Sequence, residues 1–167
     1  MKLKMTLCVA LTLTATALFA QSDYKQSIGL RLGSGYYDVA SAAYKTFFNE
    51  ASAMEINLGF RPYGVAGYKW FNASAAATYQ HHFAIKPVEG LKWFIGGGLV
   101  ASNSFSNYDD RKGFNLGVYP TAGADYKFKK IPLAVSADVR PTIHIVEAYD
   151  YYNSFYPNAG ISARYTF

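Results

Sequence analysis

The chain closes on ISARYTF, residues 161–167, in which Ile161, Ala163, Tyr165 and Phe167 alternate with Ser162, Arg164 and Thr166. Successive side chains of a β-strand point to opposite faces of its sheet, so this stretch reads as one strand with an apolar and a polar face. Most domains finish in a frayed polar tail. A strand that runs to a terminal aromatic, with Arg164 in its middle, raises two questions: what pairs with its edges, and which of its faces meets water.

The same alternation recurs toward the N-terminus. SIGLRLG (27–33) sets Ile28, Leu30 and Leu32 against Gly29, Arg31 and Gly33. AMEINLGFR (53–61) sets Met54, Ile56, Leu58 and Phe60 against Glu55, Asn57, Gly59 and Arg61. LKWFIGGGL (91–99), FNLGVYPTAGADYKF (114–128) and LAVSADVR (133–140) repeat the pattern, with Lys92, Asp125, Asp138 and Arg140 on their polar faces. Two Ala-rich segments, 39–48 and 68–80, alternate more weakly and complete a set of eight strands. Helical periodicity is nearly absent after Gln21, so the expected fold class is all-β.

The first 20 residues stand apart. Lys2 and Lys4 precede an apolar run from Met5 to Ala17, and small residues follow. This is the layout of a cleaved secretory signal, with Ala20-Gln21 the preferred cut and the Ala15-Thr16-Ala17 triplet the second choice. A single domain over 21–167 is then expected. Cys8 falls within the signal, which leaves the remainder without thiol or disulfide chemistry. Loss of Lys2 and Lys4 lowers Lys+Arg from 16 to 14 against 11 Asp+Glu, and no basic run remains to suggest nucleic-acid binding. The chain holds 15 Tyr, 12 Phe and 14 Gly, while only 16% of its residues are charged.

Connector lengths suggest two ends. NEAS (49–52), HHFAIKPVEG (81–90) and KKIP (129–132) read as turns on one side, whereas ASNSFSNYDDRK (101–112) and HIVEAYDYYNSFY (144–156) read as long loops on the other. Short turns at one rim and long loops at the other belong to barrels that cross a membrane. The polar faces are rich in Gly, Ser, Asn and Thr and carry charges of both signs, which suits a crowded lumen where ions pair. Aromatics gather toward strand ends, as interfacial girdles do. Phe47, Phe48, Tyr79, Phe83, Trp93, Tyr126, Phe128, Tyr165 and Phe167 are expected at the turn rim. Tyr36, Tyr37, Tyr63, Tyr68, Trp70 and Phe71 are expected at the loop rim. Lipid tolerates no open sheet edge, so SIGLRLG must pair with ISARYTF. Setting Phe128 opposite Leu133 across KKIP also brings Pro120 opposite Pro141, which marks a weak place in the ladder, expected near the outer interface.

The segments IGLRLG, AMEINLGFR, LKWFIGGG, GADYKFKKIPLAVSADVRP and GISARYTF resemble the small outer-membrane β-barrel proteins of Gram-negative bacteria, of the OmpX/OmpA-barrel type, over Ser27 to Phe167. The resemblance implies a closed eight-stranded antiparallel up-and-down transmembrane barrel. It implies outer-membrane lipid and lipopolysaccharide as surroundings, the barrel-assembly machinery as a biogenesis partner, and a monomer. Ile161, Ala163, Tyr165 and Phe167 look like the signal that this machinery reads. Members include adhesion-related, structural and lipid-modifying proteins, so fold does not select a function.

The expected lumen network is Arg31, Glu55, Arg61, Lys92, Asp125, Asp138, Arg140 and Arg164. Packed into eight strands, these leave no aqueous channel. Tyr149, Tyr151, Tyr152, Phe155 and Tyr156 form the candidate contact surface of the last loop, since amphipathic rings bind at low entropic cost. His81-His82 reads as a polar turn rather than a metal site, which would need a third ligand. His144 stands near Glu147 on the loop side, the placement a lipid A deacylase would use, but no Ser follows at short spacing. Gly96–Gly98 lacks the Lys-Ser/Thr of a phosphate loop and is expected to relieve crowding. DDRK (109–112) reads as a loop tip. No cofactor or metal is expected. The leading expectation is a non-enzymatic, structural or surface-binding outer-membrane barrel. The alternatives are an enzyme acting on outer-leaflet lipid and a soluble periplasmic barrel holding a small apolar ligand.

Overall fold

A computed structural model describes residues 24–65, 68–107, 112–147 and 155–167. The signal segment with Cys8, most of DDRK, and Tyr149, Tyr151 and Tyr152 lie outside the described residues. Ten strand segments are present: β1 (Gln26–Gly33), β2 (Ala40–Phe47), β3 (Ser52–Val65), β4 (Tyr68–Ala84), β5 (Leu91–Ser106), β6 (Gly113–Lys127), β7 (Leu133–Val139), β8 (Thr142–Val146), β9 (Phe155–Tyr156) and β10 (Ala159–Thr166). Segments β7 and β8 continue one another, as do β9 and β10, so the ten pieces make eight staves. Each stave pairs antiparallel with its sequence neighbours, and β1 pairs with β10. The sheet is therefore closed.

Closure follows the expected register. Ser27 lies opposite Thr166, Leu30 opposite Ala163 and Gly33 opposite Gly160. Gln26 and Phe167 exchange both backbone hydrogen bonds at 2.9 Å, which ties the terminal residue into the seam. Alternation then sets the two faces. Leu30 and Ile161 point outward at 65% and 63% exposure, while Arg31 and Arg164 between them point inward at 2% and 1%. A water-soluble barrel would reverse this arrangement. Here the outside is a belt of aliphatic and aromatic side chains and the inside is polar.

Two connectors are shorter than the sequence suggested. His81 to Ala84 belong to β4 and Ala101 to Ser106 to β5, so their turn and loop begin later. The pattern in both places continues a neighbouring strand without a break, and pairing with the adjacent stave extends it. Segments β3 to β6 run 14 to 17 residues, against 8 for β1 and β2. One side of the barrel is thus a tall wall and the other a low one.

The ladder between β6 and β7 runs from Lys127–Ala134 to Ala122–Val139, then resumes between β6 and β8 at Val118–Ile143 in the same register. Pro120 and Pro141 face each other in the gap. On the other edge Val139 pairs with Ala159 and Thr142 with Tyr156, which sets Pro157 beside Pro141. Three prolines therefore stand in a row across three staves, each without an N–H to give. The row is not at the outer edge of the apolar belt, as expected, because Phe114, Ile143 and Ile145 continue that belt beyond it.

Candidate functional site: the filled lumen

The turn-side half of the lumen is an ion-pair chain. Arg31 reaches across Gly160 to Asp138, with Nη2 donating to Oδ1 at 2.7 Å and Nε to Oδ2 at 3.1 Å. A Cβ on Gly160 would stand 2.4 Å from Arg31 Nη2, so only glycine lets the guanidinium lie against that wall. Asp138 also accepts from Arg140 Nε at 2.8 Å. Arg140 donates through Nη2 to Glu55 at 2.7 Å and through Nη1 to Asn57 at 2.9 Å. Glu55 is next shared by Arg164 at 3.3 Å and Lys45 at 3.5 Å. Both of these cations also hold Asp125, Lys45 at 2.8 Å and Arg164 at 3.1 Å. Four cations and three carboxylates thus form one connected chain. Burial of this kind is tolerated only when each charge is paired and hydrogen-bonded.

Below Asp125 the lumen is sealed by rings. Tyr24 donates to Asp125 Oδ2 at 3.1 Å and meets Phe47 edge-on at 5.2 Å. His82 lies between Phe47 and Phe94, at centroid distances of 4.9 and 5.1 Å, with Nε2 3.8 Å from Asp125. Phe47, expected in the turn-side girdle, is therefore a lumen side chain, and His82 is a buried strand residue rather than part of a turn. Lys92 is buried beside them, its ammonium 5.9 Å from the Phe47 ring.

The loop-side half is mostly neutral, its described charges being Asp38, packed against Gly59, and Arg61 at the mouth. Asn72, Ser74, Ser102, Ser104 and Asn115 face inward from the tall wall and are buried. Asn115 Nδ2 donates to Ser104 Oγ at 3.3 Å. Tyr119 lies at the boundary, its hydroxyl 2.7 Å from Thr78 and its ring 5.9 Å from the Arg140 guanidinium. Gly98 makes room for it, since a Cβ there would meet the Tyr119 ring at 2.8 Å. Gly96 and Gly98 also lie against the backbone of β4, at the Tyr79 and Ala77 carbonyls, so the run relieves crowding from the neighbouring stave as well as from this ring.

The connection 34–39 folds over this half. Tyr37 enters the lumen, 4% exposed, and shares a 2.5 Å hydrogen bond with His144 Nδ1. Tyr36 stacks edge-on to Tyr37, His144 and Tyr156 at 5.5 to 5.8 Å. The tall wall holds the backbone of this segment: Arg61 donates to the Gly35 carbonyl, and Tyr63 and Asn72 donate to that of Tyr36. Arg61 lies 4.5 Å from the Tyr63 ring, which stacks on Trp70 at 4.4 Å. Tyr36, Tyr37, Tyr63 and Trp70 thus line the mouth from within instead of forming an outer girdle. Among the described residues, rings on the outer face at this level are phenylalanines, with Phe71 6.1 Å from Phe60 and 6.4 Å from Phe105. At the turn rim, Phe83 stacks on Trp93, Tyr126 meets Phe128, and Tyr165 stacks on Phe167, all on the outside.

Of the expected network, Arg31, Glu55, Asp125, Asp138, Arg140 and Arg164 meet in the single chain. Lys92 is buried nearer the turn rim and Arg61 stands at the mouth. Tyr24, Lys45 and His82 belong to the lumen and were not foreseen. The extended alternation of Thr78, Gln80 and His82 against Tyr79, His81 and Phe83 carries the signal for His82. His81 points outward, its Nδ1 3.2 Å from Ser52 Oγ. Phe155 and Tyr156 border the mouth. Among the described residues no cluster of three or more His, Cys, Asp or Glu could hold a metal ion.

No family model matches the chain, and no curated protein matches it. Solved structures do. The N-terminal β-barrel domain of Pseudomonas aeruginosa OprF superposes with a TM-score of 0.55 at 19% identity, over 88% of this chain and 100% of that domain. Neisserial surface protein A, NspA, superposes with a TM-score of 0.52 at 14% identity, over 86% of this chain and 96% of its own. At such identities the likeness is one of fold. The burial pattern agrees with it on independent grounds, and the chain is a closed eight-stranded barrel of the outer-membrane type, with its aliphatic face turned to lipid and its charges locked inside.

Proposed function

We propose that this protein is a non-enzymatic, non-conducting barrel of the outer membrane that stabilises the envelope and offers a tyrosine-rich mouth for contact at the cell surface. The observation that carries this reading is the continuous chain from Arg31 to Asp125. Its seven charged side chains are 5% exposed or less and fill the cross-section of the barrel. An eight-stranded barrel so filled leaves no file of bulk water. Purified protein in a planar bilayer is expected to give no ion conductance, and steady single-channel currents would overturn the non-conducting reading.

His144 supports a positioning role, since Tyr37 occupies its Nδ1 and Tyr36 covers its ring. Lipid A from cells carrying His144→Ala is expected to match that from cells carrying the unaltered protein. Loss of a deacylated species would favour the enzyme. Phe155 and Tyr156 are the described part of the contact surface, continuous in sequence with Tyr149, Tyr151 and Tyr152, and Tyr36 adjoins it through Tyr156. Ile161, Ala163, Tyr165 and Phe167 serve as the assembly signal on the outer face of β10. Deletion of Phe167 is expected to lower the outer-membrane level of the protein, and normal levels would refute that role.

A further inference from the structure

The lipid-facing wall is indented over β1, β10, β7 and β6. Two grooves of about 620 and 640 Å³ adjoin there and share Leu32, Ala137 and Ile161. Ala124, Ala137 and Ala163 recess the wall, while Leu30, Ile161 and Tyr126 stand up on either side. The indentation begins at Leu91 and Tyr126, in the turn-side girdle, and ends at Val139 and Ala159, one step below the proline row. About five residues per strand, tilted about 45°, rise roughly 12 Å. That is about half of the ~25 Å apolar band of such a barrel, the depth of one leaflet.

The lower end of the groove opens onto a basic platform. Gly90, which adjoins Leu91, ends the turn 85–90, and Lys127, which adjoins Tyr126, precedes the turn 128–132. Lys127 N–H donates to Gly90 O at 2.9 Å, and Lys129 pairs with Glu89, so the turns form one surface. Lys86, Lys129 and Lys130 are exposed on it, with Val88 and Ile131 between them at 47% and 48% exposure. With Lys127, whose ammonium donates to the Phe128 and Ile131 carbonyls of its own turn, there are four lysines against one glutamate, Glu89 on Lys129. Exposed aliphatic tips flanked by lysines suit a headgroup layer, where the stems lie in the acyl boundary and the ammonium groups reach outward to phosphate.

We infer that this face binds one anionic glycerophospholipid of the inner leaflet, of the phosphatidylglycerol class, with an acyl chain in the alanine-floored groove and its phosphate on Lys129 and Lys130. Charge complementarity selects the occupant: apolar groove and cationic platform adjoin at the depth where acyl chain meets phosphate. A zwitterionic lipid would fill the groove without using the net positive charge. The inference rests on the membrane reading of the barrel.

Folded protein in nanodiscs of phosphatidylcholine with a minor share of phosphatidylglycerol, analysed by native mass spectrometry, tests it. The unaltered barrel should retain phosphatidylglycerol well above its share in the disc. Ala124→Leu with Ala137→Leu fills the groove, and Lys129→Gln with Lys130→Gln removes the charge. The lysine pair should cut that retention roughly thirtyfold, the scale of two lysines near an anionic surface, and the leucine pair should lower it severalfold by excluding the acyl chain. Ala75→Leu with Ala77→Leu on the outer face of β4, across the barrel, should leave it unchanged. Loss in the lysine variant with full retention in the groove variant would mean diffuse adsorption to a basic rim and would overturn the site. Equal loss in the β4 control would do the same. Should the leucine pair fail to fold, Ala137→Val reads the groove at smaller amplitude. A parent barrel that shows no heat-dependent change in gel mobility would instead refute the membrane reading, a separate outcome.

Discussion

The two halves of this lumen are filled by the same device, alternate inward side chains of eight staves, but by opposite chemistry. The turn-side half holds carboxylates that serve two or three cations each: Glu55 meets Arg140, Arg164 and Lys45, and Asp138 meets Arg31 and Arg140. The loop-side half holds mainly amides, hydroxyls and rings, such as Asn115 with Ser102 and Ser104 and Tyr37 with His144. Shared charges make the first half cooperative, since removal of one strands several others. Mostly neutral contacts, each weaker than a buried ion pair, make the second half separable, and it accepts a folded-in segment, 34–39, that no stave supplies. One half acts as a frame and the other as a cap.

The largest expected effect therefore belongs to Glu55. Glu55→Ala leaves Arg31, Arg140, Arg164 and Lys45 sharing Asp125 and Asp138, so buried positive charge is left uncompensated. Breaking a buried pair in this way costs about 3–5 kcal/mol. Urea unfolding of barrels in lipid vesicles, followed by tryptophan fluorescence, should show a loss on this scale. Glu55→Gln should lose nearly as much, because it keeps the shape and removes the charge. A loss under about 1 kcal/mol, the value of an ordinary hydrogen bond, would mean that the chain is not cooperative and that the two halves are equivalent.

This division was half legible in the sequence. Arg31, Glu55, Asp138, Arg140 and Arg164 stand at alternate positions against strong aliphatic faces, and parity alone places them inside. Lys45 escaped because ASAAYKTF has alanine on both faces, so its alternation carries no contrast. His82 escaped because two adjacent histidines look like a turn until the neighbouring staves extend the pairing through them. For the loop-side tyrosines the sequence makes the rim legible but not the face. Tyr63 and Trp70 share the parity of Glu55 and Asn72 and could have been assigned inward by continuing the count. Tyr36 and Tyr37 could not, because their direction depends on Arg61, Asn72 and His144, which are distant in sequence.

A middle-sized effect tests the separability of the cap. Tyr37→Phe removes one hydroxyl and its bond to His144 while the ring stays in place. About 0.5–1.5 kcal/mol is expected, the net value of a single hydrogen bond. The more telling readout is spatial. Protection of backbone amides from hydrogen exchange should fall across 34–39 and leave β1 and β10 unchanged. Loss of protection throughout the closure seam would show that cap and frame are one unit.

The smallest effect is expected at the border, where Pro120 and Pro141 face each other. The register alternates between hydrogen-bonded and non-hydrogen-bonded pairs. Phe128 donates to Leu133 at 3.0 Å, so every second pair beyond it, down to Pro120–Pro141, is of the bonded kind. The opposite edge agrees: Arg140 donates to Asn158 at 2.7 Å, which turns residue 141 toward β6. Both donors of one ladder rung are therefore missing, within the apolar belt, where no bulk water replaces them. Pro141→Ala supplies one N–H opposite the Pro120 carbonyl and should gain about 1 kcal/mol from it. Against this stands a loss of roughly 0.4–1 kcal/mol from the freer unfolded chain. The unfolding midpoint should barely move. The new amide at 141, however, should exchange as slowly as those of Val139 and Ile143. Fast exchange there would mean that the staves part at the proline row whether or not a donor is present. The border would then be a hinge between frame and cap, held below by Arg31 and Asp138 and free to open above them.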